Sequence, residues 1–290
     1  MSAPAKGIRP LYWSVRRELW ENRSIYMAPV IVAGVVLFGF IISTIGIPHR
    51  RRAALLLDET HRRAAIGLPY DAAAMVLFMT GILIGIFYCL DALYGERRDR
   101  SILFWKSLPV SDRTAVIAKA SIPLVVLPSI VFVVIVITQF LMLLISTAIL
   151  APSGLALSTW TNFNILKQTV ILFYGLITLA LWHAPMYGWL LIVSAWAKRA
   201  TFLWAALPLI AVCILEQLAF HTHYFANLIA YRFMGHVPRA FAVVKNDRID
   251  SLTQITPLRF LATPGLWVGL IFAAGFFIAA MQLRRNREPI

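Results

Sequence analysis

Acidic residues are scarce in this chain: Asp and Glu together number 13 of 290, against 27 Lys and Arg, leaving a net charge of +14. Charged residues of both signs make up 14% and apolar ones 60%. Soluble domains carry about 25% charged residues, so a water-soluble globular protein is excluded and an integral membrane protein is expected. The cation excess then belongs in loops that face anionic lipid or fix orientation, and it does not call for nucleic acid. Cysteine is nearly absent. Cys89 and Cys213 both lie in apolar runs, which excludes a disulfide framework and leaves them as small core hydrophobes. No Gly-Lys pair occurs, so the chain has no Walker phosphate loop, and it lacks both an H-E-x-x-H zinc helix and a G-x-S-x-G nucleophile elbow. No catalytic residue, and no cofactor held by this chain, is expected.

What is present is long apolar sequence. Runs free of Asp, Glu, Lys and Arg extend over 24–49, 72–90, 120–166, 168–197, 200–215 and 260–283. A bilayer needs roughly 20 residues of helix. The third run exceeds one span, but Ala151-Pro152-Ser153-Gly154 breaks it near Leu150, and Leu218-Ala219-Phe220 extends the fifth. The expected fold is therefore all-α, with six transmembrane helices at about 26–47, 71–93, 118–150, 168–196, 200–221 and 262–283. Charges continue to Arg23 ahead of an apolar run too long for a signal core, so the first span is expected to stay as an anchor.

An even number of spans puts both termini on one side. Segments 1–23, 94–119, 197–200 and 284–290 hold 16 cations in 60 residues, while 48–71, 151–167 and 222–262 hold 11 in 82. That bias favours cytoplasmic termini, with Arg50-Arg51-Arg52 and Arg62-Arg63 opposing it. The division is thus a cytoplasmic N-terminus at 1–23, a membrane domain at 24–283 and a cytoplasmic tail at 284–290. Within the domain lie a cytoplasmic loop at 94–117 and an outer loop at 222–262.

Ahead of the first span, Ile8, Leu11, Tyr12, Val15 and Leu19 recur at helical spacing, bordered by Arg9, Arg16, Arg23, Trp13 and Trp20. Such a stripe suits a helix lying in the headgroup plane. The alternative is an early start to the first span, which Pro10 fits as an opening turn and against which Glu18, Glu21 and Arg23 argue. The outer loop is long and rich in aromatics, among them Tyr224, Phe225, Tyr231, Phe233 and Phe241, which suggests partly embedded pieces capping that mouth.

The loop after the second span is the most informative segment. Glu96 and Arg100 stand four apart in the favourable order, Ile102-Leu103-Phe104-Trp105 form an apolar patch, Pro109 stops a helix, and Ser111 or Asp112 can cap the next. Apolar side chains rimmed by charge mark a protein contact; an ordinary solvated loop is the alternative. The pattern Tyr94-Gly95-Glu96-Arg97-Arg98-Asp99, Ser101, Ser107-Leu108-Pro109-Val110-Ser111 resembles the first cytoplasmic loop of the type-2 ATP-binding-cassette (ABC) export permeases. Arg100 stands where that family has glycine. The resemblance implies a coupling helix seated in a separate ABC ATPase subunit, with Glu96, Arg97, Asp99, Ser101, Phe104, Trp105, Ser107, Leu108 and Pro109 as coupling residues. It further implies ATP and Mg on that partner, a second permease copy in a homodimer or heterodimer, and a bacterial cytoplasmic (inner) membrane. The function expected is the permease subunit of an ATP-driven exporter. A non-transporting scaffold or assembly protein, or a secondary transporter, is the rival.

Polar residues at membrane depth are expensive and tend to line pathways or pair between helices. Gln139 and Glu216 are candidate gate or pathway residues; Glu216 could equally pair with Arg232, Arg239 or a histidine. His183, before Pro185, is expected to satisfy backbone freed by the proline. His221-x-His223 is too sparse for a metal centre. Gly81-x-x-x-Gly85 and Gly265-x-x-x-Gly269 offer smooth faces for close helix contact.

Overall fold

The computed structural model describes residues 10–107, 111–242 and 248–286. They form an all-α membrane protein in which six helices are long and apolar enough to cross a membrane. Helix α1 (Pro10–Glu21) precedes the first span, α2 (Ser24–Ser43). Gly46, at φ +76°, turns the chain into α3 (Ile47–Leu55), so the first span ends a turn earlier than its apolar run. The second span, α4 (Glu59–Ala92), starts twelve residues before the expected position because Asp58 caps it, accepting from the His61 N–H at 3.4 Å, and Pro69 leaves the helix continuous. At 1.5 Å per residue its 34 residues reach about 51 Å, well beyond the ~30 Å apolar core. The amphipathic first third thus extends past the apolar layer.

Two short helices follow, α5 (Tyr94–Arg98) and α6 (Ser101–Ser107). Ser111 caps α7 (Asp112–Ser121), which runs through a π-helical segment, Ile122–Val126, into α8 (Leu127–Leu150). Pro123, with no N–H to donate, lies in that segment and opens the α-helical ladder. Gly154 at φ +70° ends the third span at the expected break, and a short α9 (Ser158–Asn162) leads to α10 (Ile165–Trp196). Next comes α11 (Thr201–Phe220), tied to α10 by the Trp189 indole N–H donating to the Ala205 carbonyl at 3.2 Å. Its only buried residue is Ala205.

The segment after α11 folds into α12 (Tyr224–Met234), α13 (Val237–Ala240), a 3₁₀ turn at Leu252–Gln254 and α14 (Pro257–Leu261). Phe241 and Phe260 pack with Ile171, Trp182 and Leu266 in a cluster against α10 and the sixth span, α15 (Pro264–Asn286). The largest core cluster joins α2, α4, α7, α8, α10 and α15 through Ile25, Leu77, Leu93, Val116, Ile135, Leu191 and Ala280. Gly81 and Gly85 let α4 approach closely: a Cβ at Gly81 would stand 2.9 Å from Val131, and one at Gly85 3.1 Å from Tyr187. The second glycine pair meets side chains, Gly265 facing Tyr231 and Gly269 facing Arg232.

Candidate functional site

The start of α2, the end of α4, the start of α7 and the ends of α10 and α15 gather at one end of the bundle, where a buried ion network joins α1, α5, α7 and α15. Glu96 of α5 is its hub: one carboxylate oxygen lies 3.2 Å from Lys119 Nζ and 3.4 Å from Arg17 Nη2, the other 3.0 Å from Arg284 Nη2. Glu18 of α1 receives Lys119 Nζ at 2.9 and 3.1 Å, Arg17 at 2.8 Å and the Tyr88 hydroxyl at 2.8 Å. Arg284 also pairs with Asp112 at the start of α7. Glu18, Glu96, Lys119 and Arg284 are each at least nine-tenths buried. Glu18, Glu96 and Asp112 thus each face at least one of Arg17, Lys119 and Arg284, with the half-exposed Glu21 3.7 Å from Arg17, so every carboxylate in the network has an opposite charge beside it, as buried charges require. Burial alone would push the Glu18 carboxyl up, but Lys119 and Arg17 hold it below the ordinary glutamate value.

Two clasps onto backbone groups flank the network. Arg97, also buried, donates to the Ala195 carbonyl at 2.6 Å and the Ala197 carbonyl at 3.2 Å, where the terminal carbonyls of α10 need donors. The Ser194 hydroxyl accepts from the backbone N–H groups of Leu93 and Tyr94 at 3.0 and 2.9 Å. Through these contacts α5 is fixed to α1, α7, α10 and α15 at once.

Beyond this network, Arg98, Asp99 and Arg100 are exposed. Arg100 takes a left-handed φ of +56° to turn α5 into α6, and Ser101 Oγ donates to the Glu96 carbonyl at 3.4 Å. Ile102 is buried beneath α6, whereas Leu103 and Phe104 are about 60% exposed. Asp99 is exposed and pairs with Arg98 at 2.9 Å, which holds its carboxyl below the ordinary aspartate value. The side chains of Trp105 and Ser107, and the whole of Leu108 and Pro109, lie outside the described residues.

The other candidates stand apart. Gln139 is buried in α8 and donates to the Tyr70 carbonyl at 3.1 Å, tying α8 to α4. Glu216 forms no ion pair with Arg232 or Arg239, and His223 acts on it only as a nearby charge; Glu216 accepts from Thr222 at 2.8 Å and from the Tyr224 and Phe225 N–H groups at 2.6 and 2.8 Å, capping α12. Arg232 instead stacks over Trp182, 4.8 Å from the ring centroid. His183 contacts the Leu179 carbonyl at 3.0 Å. Among the described residues no three His, Cys, Asp or Glu converge as metal ligands.

On α1, Val15 and Leu19 pack toward the core with Ser14 and Glu18 buried, while Tyr12, Trp13 and Trp20 face outward and Arg16 stacks between the two tryptophans. Glu18 and Lys119 form a buried ion pair that sequence reasoning missed. The available signal was a carboxylate at position 18 on the same helical face as Leu11 and Ser14, together with a lysine at the very edge of a charge-free run. No family model, curated protein or solved structure matches the chain.

Proposed function

We propose that the chain is the permease subunit of an ATP-driven ABC exporter, paired with a second permease copy and driven by separate ATPase subunits that bind ATP and Mg. The observation that carries this reading is the fastening of α5 and α6. A short helix pair exposing Leu103 and Phe104 is held by Glu96 and Arg97 to four other helices. A displacement delivered at α6 is therefore passed to α1, α7, α10 and α15 together, which is what coupling a distant ATPase to a bundle requires. ATP closure of the partners would shift the bundle between closed and releasing states in proportion to its preference for one of them. In this reading the α5–α6 end faces the cytoplasm of a bacterial inner membrane, α1 lies along the headgroups, and Trp105 to Pro109 complete the contact.

A secondary transporter is disfavoured because the buried carboxylates among the described residues, Glu18 and Glu96, sit at the bundle end and not at mid-membrane. The test is affinity capture of the chain from native membranes. The expected companion is an ATPase with a Walker loop, and Phe104→Ser should weaken its binding about tenfold while leaving the permease inserted, since such contacts concentrate energy in few side chains. A companion lacking ATPase activity, or capture indifferent to both Phe104→Ser and Leu103→Ser, would sink the exporter reading.

A further inference from the structure

At the opposite end of the bundle, α3 carries Arg50, Arg51 and Arg52 in succession. Among the described residues none of the three has a carboxylate partner; the nearby acids are engaged elsewhere, Asp58 with His61 and Glu59 with Arg63. Arg50 donates to the Ser43 carbonyl. Arg51 is only 6% exposed, faces the Tyr70 phenol, and has its Nη1 enclosed without an acceptor. Beside it opens a cavity of about 110 Å³, lined in part by Phe40, Ser43, Arg50, Arg51, Tyr70 and Ser146. The Tyr70 and Ser146 hydroxyls are 2.8 Å apart and bond each other.

A guanidinium stays charged at any accessible pH, and enclosing it without a counter-ion is unfavourable. Its fork of N–H donors matches the oxygens of phosphate. One water needs about 10–15 Å³ of such space, so this cavity admits a group with several oxygens. It also lies where the apolar α2 ends, at the depth where a bilayer presents its headgroups. We propose that this cavity is a phosphate-binding site, with Arg51 as its principal ligand and Arg50 at its rim, occupied by a phosphate group from either a phospholipid headgroup or free phosphate. This site does not depend on the exporter reading.

The test uses the purified full chain in detergent, with phosphatidylglycerol and inorganic phosphate as separate probes and binding read by thermal shift and native mass spectrometry. Arg51→Gln should weaken binding about tenfold, the loss expected for one charge-assisted hydrogen bond. Ala54→Leu, which fills the cavity and keeps every cation, should weaken it similarly; Arg52→Gln, an exposed neighbour with the same charge change, should not. Arg51-dependent binding of the lipid alone assigns the headgroup, and of both probes the free anion. No binding of either probe, or equal losses in Arg51→Gln and Arg52→Gln, would overturn the site. If Arg51→Gln does not fold, full affinity in both Arg51→Lys and Ala54→Leu overturns it, and a loss in Ala54→Leu upholds it.

Discussion

Arg100 occupies a backbone position shaped for glycine. Its φ of +56° is the left-handed region, which costs an L residue about 1–2 kcal/mol. The resembled family has glycine there, and both α5 and α6 form around the arginine all the same. Arg100→Gly is expected to raise stability by about 1 kcal/mol, read as unfolding in detergent; a loss would mean that the arginine side chain holds the turn. Glu216 presents the converse case, a membrane-edge carboxylate that looks functional and is occupied with capping a helix. In the exporter reading, Glu216→Gln should keep most transport, and any defect should not track an imposed proton gradient in liposomes. Flux that persists without ATP, follows that gradient and vanishes in the variant would replace the exporter reading with a secondary transporter. At this scale the sequence singled out Glu96 and Arg97, but not their inward direction. Arg284 is 188 positions from Glu96 and Lys119 is 101 from Glu18, distances at which helical spacing carries no information.

Helix α1 owes its place to one residue pair more than to its apolar stripe. Spacing alone assigned Leu11, Tyr12, Val15 and Leu19 to a single lipid-facing side, yet the Glu18–Lys119 contact rotates Val15 and Leu19 against the bundle and leaves the aromatics outside. Removing one member strips the other of its nearest counter-ion, leaving Lys119 with Glu96 alone and Glu18 with Arg17 alone. Glu18→Leu or Lys119→Met alone should therefore cost about 2 kcal/mol, less than the ~3–5 kcal/mol of a fully orphaned buried charge. The double variant should recover much of that loss, a coupling that a double-mutant cycle measures; strictly additive effects would mean the pair does not hold α1. Glu18 has a depressed pKa in the folded protein, so its contribution is complete above the ordinary glutamate value, about pH 4.3, and is lost as pH falls through the lower folded value. Detachment of α1 on acidification, followed by Trp13 and Trp20 fluorescence, should be absent from the double variant. The length of α4 was hidden for a related reason: its first turns are charged and carry Pro69, a pattern that reads as loop until the Asp58 cap is seen.

For the molecule as a whole, hydropathy alone located all six spans, because a bilayer demands satisfied backbone over a fixed thickness. What it could not supply was the arrangement of spans beside one another, which depends on the close contacts of Gly81, Gly85 and Trp182 with distant side chains. The gathering of five span ends at the ion network requires that they share a side. With Cys213 replaced, single cysteines at Arg100, Arg113 and Asn286 are expected to label from one face, the cytoplasmic one in the exporter reading, and those at Glu59 and Thr161 from the other. Labelling of Arg100 and Asn286 from opposite faces would undo the six-span arrangement. The network also imposes an order on synthesis. Until α15 emerges, Asp112 and one oxygen of Glu96 lack their Arg284 partner, and that unpaired carboxylate charge keeps this part of the bundle end wet. Arg284 supplies that partner, so α5 and the start of α7 reach their final seat only after the sixth helix is inserted, and a ribosome that stalls before residue 284 leaves an unfinished chain whose exposed carboxylates distinguish it from a finished one.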